Sequence, residues 1–302
     1  AVLLAETPWD LDEISLIIDV GTNAEIILGN RERLLVASSP TGPAFEGAQI
    51  TDGQRAAPGA IESVRINPET LEPRFKVIGG ERWSDEPGFE EELGAQGVTG
   101  ICGSGIIEAI ACMYLTGLIL PDGAIDGTLS DRSSRIVASG RTFSYLLHAG
   151  TPDIRIHQSD IRAIQLAKAA LYAGARLLMD RLGVEKVDRI RLAGAFGSHI
   201  DVKYAMVLGM IPDCDLAKVS SANNAAGTGA RIALLSKASR VEIEKRVRQV
   251  EKVETAVDKN FQQLFVDALA IPHATHGFPE LESVITMPSA RASKSTPSRK
   301  RH

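Results

Sequence analysis

Residues 16–30 read LIIDVGTNAEIILGN, an apolar run that ends at Asp19, turns over Gly21, Thr22 and Asn23, and returns as a second apolar run. The pattern predicts two adjacent strands joined by a tight turn, and with the following RLLVASS it predicts a three-stranded meander. The same turn has the composition of a phosphate hairpin. Gly21 lets the backbone approach an anion, Thr22 and Asn23 bring donors, and the Asp19 carboxylate can hold a hydrated divalent cation. A Gly/Asn turn between strands also makes an ordinary hairpin with no ligand. Taken alone, the segment leaves both possibilities open.

Three more glycine-rich places follow. In 187–201, VDRIRLAGAFGSHID, a short strand signal through Ile190, Leu192 and Ala193 runs into Gly194, Gly197 and Ser198, where small residues admit a ring or a phosphate against bare backbone, or simply make a strand-to-helix turn. In 220–236, SSANNAAGTGARIALLS, Asn223 and Asn224 precede Gly227, Thr228 and Gly229 at a predicted helix start, a site for an anion or for plain capping. In 100–119, GICGSGIIEAIACMYLTGLI, Gly103 and Ser104 open an apolar helix. Its first amides can hold a phosphate, or its glycines can let it press against a sheet.

Taken in order, IDVGTNAEI, TGPAFEGAQI, GICGSGIIEAI and LAGAFGSHID resemble the carboxy-terminal part of the reductive activators of corrinoid proteins, which are ATP-dependent members of the acetate-kinase, sugar-kinase, Hsp70 and actin superfamily. The resemblance runs from about Leu4 to about Pro272. It implies an α/β, ribonuclease-H-like domain of the actin/Hsp70 ATPase type with a small inserted subdomain at about 38–100. By the same resemblance Asp19, Gly21, Thr22 and Asn23 match the second phosphate element; the place of Asp19 at the strand end beside the turn gives it the expected role of holding Mg²⁺ through water. Gly194, Ala195, Phe196, Gly197 and Ser198 match the adenosine element. Gly103, Ser104, Asn224 and Gly227 join the expected nucleotide site, and no catalytic residue is assigned.

The implied activity is restoration of cobalt(I) in a corrinoid protein of a methyltransferase system, with ATP hydrolysis coupled to electron transfer. The implied cofactors are ATP and Mg²⁺, and the implied partners are a corrinoid protein and a second copy of the chain. The superfamily's first phosphate half and the family's amino-terminal ferredoxin domain are expected to lie outside these 302 residues. A [2Fe-2S] cluster needs four thiolates, whereas Cys102, Cys112 and Cys214 are three and show no C-x-x-C spacing. The cluster therefore belongs to that absent domain, and the chain alone is expected to fold, to self-associate and to be nearly inactive. A small-molecule kinase of the same superfamily, a non-catalytic scaffold and a solute-binding module stay open as alternatives.

Composition adds limits. Reduced, unpatterned cysteines suit a cytoplasmic protein. No apolar run is long enough for a membrane span, and AVLLAE lacks the basic flank of a signal peptide. The net charge is −5, but Arg291, Lys294, Arg299, Lys300 and Arg301 contribute +5 from the last fourteen residues, leaving −10 over residues 1–288. Residues 289–302 form a separate basic, disordered-type tail, and the acidic body argues against nucleic acid. Neither zinc-type histidine spacing nor a GxxxxGK[ST] loop is present.

Further along, 157–183 predicts a long helix capped by Ser159 or Asp160 and ended by Gly183. Residues 239–257 predict a charged surface helix, and FQQLFVDALAIP a helix that covers the core. Glu46 in PAFEGAQ suits catalysis, or a buried glutamate that satisfies loop amides.

Overall fold

The computed structural model describes residues 1–197 and 199–288, with the backbone alone at Ala195 and Phe196. Ser198 and the basic tail from residue 289 lie outside the described residues.

After α1 (Val2–Glu6) the chain lays down the meander β1 (Ser15–Val20), β2 (Ala24–Gly29) and β3 (Leu34–Ser39). Its antiparallel register runs from Ser15↔Gly29 to Val20↔Ala24, and from Ala24↔Ser39 to Gly29↔Leu34. Leu16, Ile17 and Ile18 are fully buried, which explains a continuous apolar run in place of alternation. Each such side chain contributes about 1.5–3 kcal/mol of transfer free energy.

Next come β4 (Ala60–Ile66) and β5 (Pro73–Val77), paired antiparallel, then α2 (Phe89–Leu93) and the two-residue β6 (Gly100–Ile101), parallel to β4 and leading into α3 (Gly103–Leu115). A third sheet follows from β7 (Ile136–Ser139), β8 (Thr142–His148) and β9 (Ile154–His157). Periodicity does not reveal β7 and β9, which are only four residues long.

The long helix α4 (Gln158–Leu182) crosses β2 and β3. Its cap differs from the expectation: the chain enters at His157, and Asp160, already inside the helix, reaches back to accept from the His157 amide at 2.8 Å. Asp160 also accepts from the Thr51 amide and hydroxyl, so its burial is fully compensated. Gly183 ends the helix with φ +79°, as expected.

The remainder is β10 (Arg189–Ala193), α5 (Gly194–Gly197), α6 (Val202–Val207), β11 (Val219–Asn223), α7 (Ala225–Leu235), α8 (Lys237–Val247), β12 (Glu251–Lys252), α9 (Phe261–Asp267) and α10 (Pro279–Glu282). The charged helix expected over 239–257 stops at Val247. Glu251 and Lys252 instead pair with Leu35 and Val36 on the sheet edge, where Glu251 meets Arg33 at 2.7 Å. Alternating charge fits a solvated strand edge as well as a helix face. α9 packs on α4, and the wholly buried Lys168 donates to the carbonyls of Ala270 and Pro272.

The main sheet has the order β11-β10-β1-β2-β3-β12, with β10 and β11 parallel to β1. Asp19 lies beside Ala193, and Ala193 beside Asn223. Three chain turns that are far apart in sequence therefore leave the sheet at one edge.

Candidate functional site

The β1–β2 turn is held so that its carbonyls are used up while, among the described residues, two of its amides are not. The Asn23 carbonyl accepts from the Gly21 amide at 3.0 Å. The Gly21 carbonyl accepts from the Thr41 hydroxyl at 2.8 Å, and the Thr22 carbonyl accepts from the same hydroxyl at 3.1 Å and from the Gly42 amide at 2.9 Å. Among the described residues, the amides of Thr22 and Asn23 donate to nothing. Such a turn is a small concave donor patch suited to an anion.

Behind the turn, Asp19 and Glu25 face each other across β1 and β2. Desolvation raises both carboxyls above their ordinary values, and for Glu25 the neighbouring Asp19 adds to the rise. Like charges placed directly opposite are unfavourable until a cation joins them. Gly194 closes the other side of Asp19. Its φ is +89°, and a Cβ built there would lie 2.8 Å from an Asp19 carboxylate oxygen and 2.9 Å from the Val20 carbonyl. Only a bare Cα fits.

Gly197 also sits tightly, since a Cβ there would lie 2.9 Å from the Leu192 carbonyl. Of the remaining residues expected on the adenosine side, Ser198 and the side chains of Ala195 and Phe196 lie outside the described residues.

A cavity of about 480 Å³ opens beside the turn, lined by Phe45, Glu46, Cys102, Gly103, Ser104 and His199 among others. It receives the start of α3, which has no side-chain cap: the Cys102 carbonyl already accepts from Ile106, and the amides of Gly103, Ser104 and Gly105 have no partner among the described residues. Gly105 does pack as the structural alternative requires, since a Cβ there would meet the Ile61 carbonyl at 2.2 Å. Gly103 and Ser104 face the cavity, so one glycine-rich run serves both purposes.

Glu46 is not the buried, amide-satisfying glutamate of the second expectation: it is exposed, bonds no loop amide among the described residues, and accepts from the Thr22 hydroxyl at 2.9 Å. At the β11 edge, the Asn224 carboxamide oxygen caps α7 by accepting from the Gly227 amide at 2.8 Å. That is the capping role. What Asn224 keeps free toward the edge is its amino group, which has no partner among the described residues.

Sequence alone does not point to Thr41 or Glu25. Thr41 is 5% exposed and lies between turn residues in the chain, so only the folded contact reveals it. Glu25 could have been found by pairing Asp19 across the predicted hairpin. The three cysteines are free, buried and separate, with burial pushing the Cys112 and Cys214 thiols up to about 11. Among the described residues no group of His, Cys, Asp and Glu is arranged to hold a metal without other ligands, and no helix is long and apolar enough to cross a membrane.

A meander with a donor turn, followed by parallel strands that end at the same edge, defines a lobe of the ribonuclease-H-like α/β fold of the acetate-kinase, sugar-kinase, Hsp70 and actin class. Within that class, residues 13–282 match the family described as the C-terminal domain of RACo, the ASKHA domain, and the chain belongs to that family. It is 37% identical over 278 residues to the corrinoid activation enzyme RamQ of Eubacterium limosum, covering 88% of this chain and 44% of that protein. It is 30% identical over 215 residues to the Co(II) methylated amine-specific corrinoid protein reductase of Methanosarcina barkeri, covering 66% and 35%. The solved structure of a reductive activator for corrinoid, iron-sulfur protein matches with a TM-score of 0.77 at 35% identity, over 90% of this chain and 42% of that one. The chain spans less than half the length of each.

Proposed function

We propose that this chain is the ATP-binding half-cleft of a reductive activator that returns cobalt(II) in a corrinoid protein to cobalt(I), with ATP hydrolysis coupled to electron transfer. The observation that carries the proposal is the β1–β2 turn, whose carbonyls are all engaged while the amides of Thr22 and Asn23, beside Asp19 and Gly194, have no partner among the described residues. The names of the relatives support the corrinoid partner and the direction of the reaction.

The residues fit a magnesium nucleotide. Thr22 and Asn23 amides hold phosphate oxygens, and the bare Cα of Gly194 lets the strand end on the adenosine side close directly against Asp19. The uncapped start of α3 at Gly103 and Ser104 offers further amides, and Asn224 offers its amino group. Asp19 holds a water of the cation rather than taking a proton, since Mg²⁺ keeps several waters and a half-buried carboxylate gains from a nearby positive charge. The bound nucleotide supplies phosphoryl transfer to water; the chain binds, orients and closes around it. The [2Fe-2S] carrier belongs outside this chain, which has only three cysteines.

The test is calorimetric titration with MgATP and MgADP of the 302-residue chain, and of the same chain completed with the remaining part of the RamQ relative. Phosphate release and corrinoid reduction are followed on the completed protein. Binding and ATP-dependent reduction by the completed protein are expected, with weak binding and little turnover by the chain alone. A completed protein that binds no nucleotide would sink the proposal.

A further inference from the structure

The loop after β3 belongs to the turn more than to its own strand. Within six residues it supplies the Thr41 hydroxyl and the Gly42 amide to the turn carbonyls, and the Glu46 carboxylate to the Thr22 hydroxyl. A carboxylate beside a phosphate turn needs a reason, because it repels the ligand the turn is shaped for. The proton count provides one. A threonine hydroxyl has one hydrogen and two lone pairs. With its hydrogen donated to Glu46, Thr22 Oγ1 has only acceptor capacity left, which suits a cation or a water on a cation and cannot bond a phosphate oxygen.

We infer that Glu46 is a positioning residue that fixes Thr22 as an acceptor and so divides the turn in two. The amides of Thr22 and Asn23 face phosphate, and the Thr22 hydroxyl, with Asp19 behind it, faces the divalent cation. Glu46 itself stays exposed on the cavity wall, where its other oxygen has no partner among the described residues. Its carboxylate adds charge on the side of the cation while the hydroxyl it holds does the contacting. The inference rests on the proposal that the turn binds a magnesium nucleotide, and it assigns a role to a residue which that proposal leaves unused.

The experiment uses the completed protein described above and two binding titrations: ADP without divalent cation, and Mg²⁺ at fixed ADP. Glu46→Ala should raise the Mg²⁺ concentration for half-maximal binding about tenfold. The same variant should leave cation-free ADP binding unchanged or tighter, because Thr22 regains a hydrogen to donate and a negative charge is gone. In a Thr22→Val background, Glu46→Ala should shift the Mg²⁺ titration no further. An equal loss in both titrations would make Glu46 a merely structural support of the loop and overturn the inference. An unchanged Mg²⁺ curve, or a full Glu46→Ala effect in the Thr22→Val background, would overturn it as well. Failure of the unaltered protein to bind ADP under either condition would instead remove the nucleotide proposal itself, and this inference with it.

Discussion

Replacing Thr41 by Val tests whether the turn's donor character is imposed from outside the hairpin. The side chains are nearly the same size and Thr41 is buried, so packing should change little and the lost hydroxyl should dominate. That hydroxyl reaches the Gly21 carbonyl at 2.8 Å and the Thr22 carbonyl at 3.1 Å, but it has one proton, so it counts as one shared hydrogen bond. The Thr22 carbonyl keeps the Gly42 amide, while the Gly21 carbonyl loses its partner among the described residues. A net hydrogen bond of about 0.5–1.5 kcal/mol plus a partly exposed orphan carbonyl gives a loss of roughly 1–2 kcal/mol. Melting should fall by roughly 2–3 °C on the scale of a chain this size. The freed carbonyl then points acceptor character at the same patch of water as the two amides, and nucleotide affinity should fall about tenfold. Urea unfolding of the chain and ADP titration of the completed protein measure the two effects. Thr116→Val is the control, since that hydroxyl also donates to backbone carbonyls, those of Cys112 and Met113, far from the turn. It should cost similar stability and no affinity. If Thr41→Val behaves like the control, the engaged carbonyls have nothing to do with binding.

Gly194→Val should abolish nucleotide binding and also destabilise the chain, because a side chain at φ +89° is strained and its Cβ would meet Asp19; unchanged ATP affinity in the completed protein would refute the assignment. Asp19→Asn should reduce hydrolysis more than binding, and an active variant with normal Mg²⁺ dependence would remove Asp19 from the site. Burial, with His276 and Lys168 nearby, pushes His273 down to about 4 from an ordinary value near 6.5, so on acidification the unfolded chain takes up this proton first. Stability should therefore fall between about pH 6.5 and pH 4 and level off below, by roughly 1–2 kcal/mol once screening is allowed for, and urea midpoints that stay flat across that range would count against a buried neutral imidazole. The chain should also self-associate, with Leu234 and Leu235 of α7 at 78% and 79% exposure as the apolar surface to be covered, and sedimentation of a monomer at high concentration would contradict this.

What the sequence makes legible depends on how local the physics is. Strands β1 and β2 are visible because Leu16 to Ile18 and Ile26 to Leu28 are buried on both faces and so form unbroken apolar runs. The Asn224–Gly227 cap and the Gly183 stop are visible because they operate within a few residues. Strands β7 and β9 are not, since four residues carry too little periodicity to stand out. The start of α4 misleads by a turn because Asp160 satisfies the His157 amide from inside the helix and also serves Thr51, which is 109 residues away in the chain.

The chemistry of the turn is legible only halfway for the same reason. Gly21, Thr22 and Asn23 announce a hairpin that can bind an anion, but the same letters make an empty hairpin. What separates the two cases is where the carbonyls go. Here Thr41, Gly42 and Gly21 itself take them all, and Glu46 takes the Thr22 proton. None of the three loop residues is adjacent to the turn in sequence, yet together they decide which of its groups face outward. A glycine-rich turn of this kind is therefore best judged by the loop that follows the third strand. In this chain, substitutions at 41–46 should alter ligand preference while leaving the meander intact, whereas substitutions in the apolar runs of β1 and β2 should unfold the meander before they alter any preference.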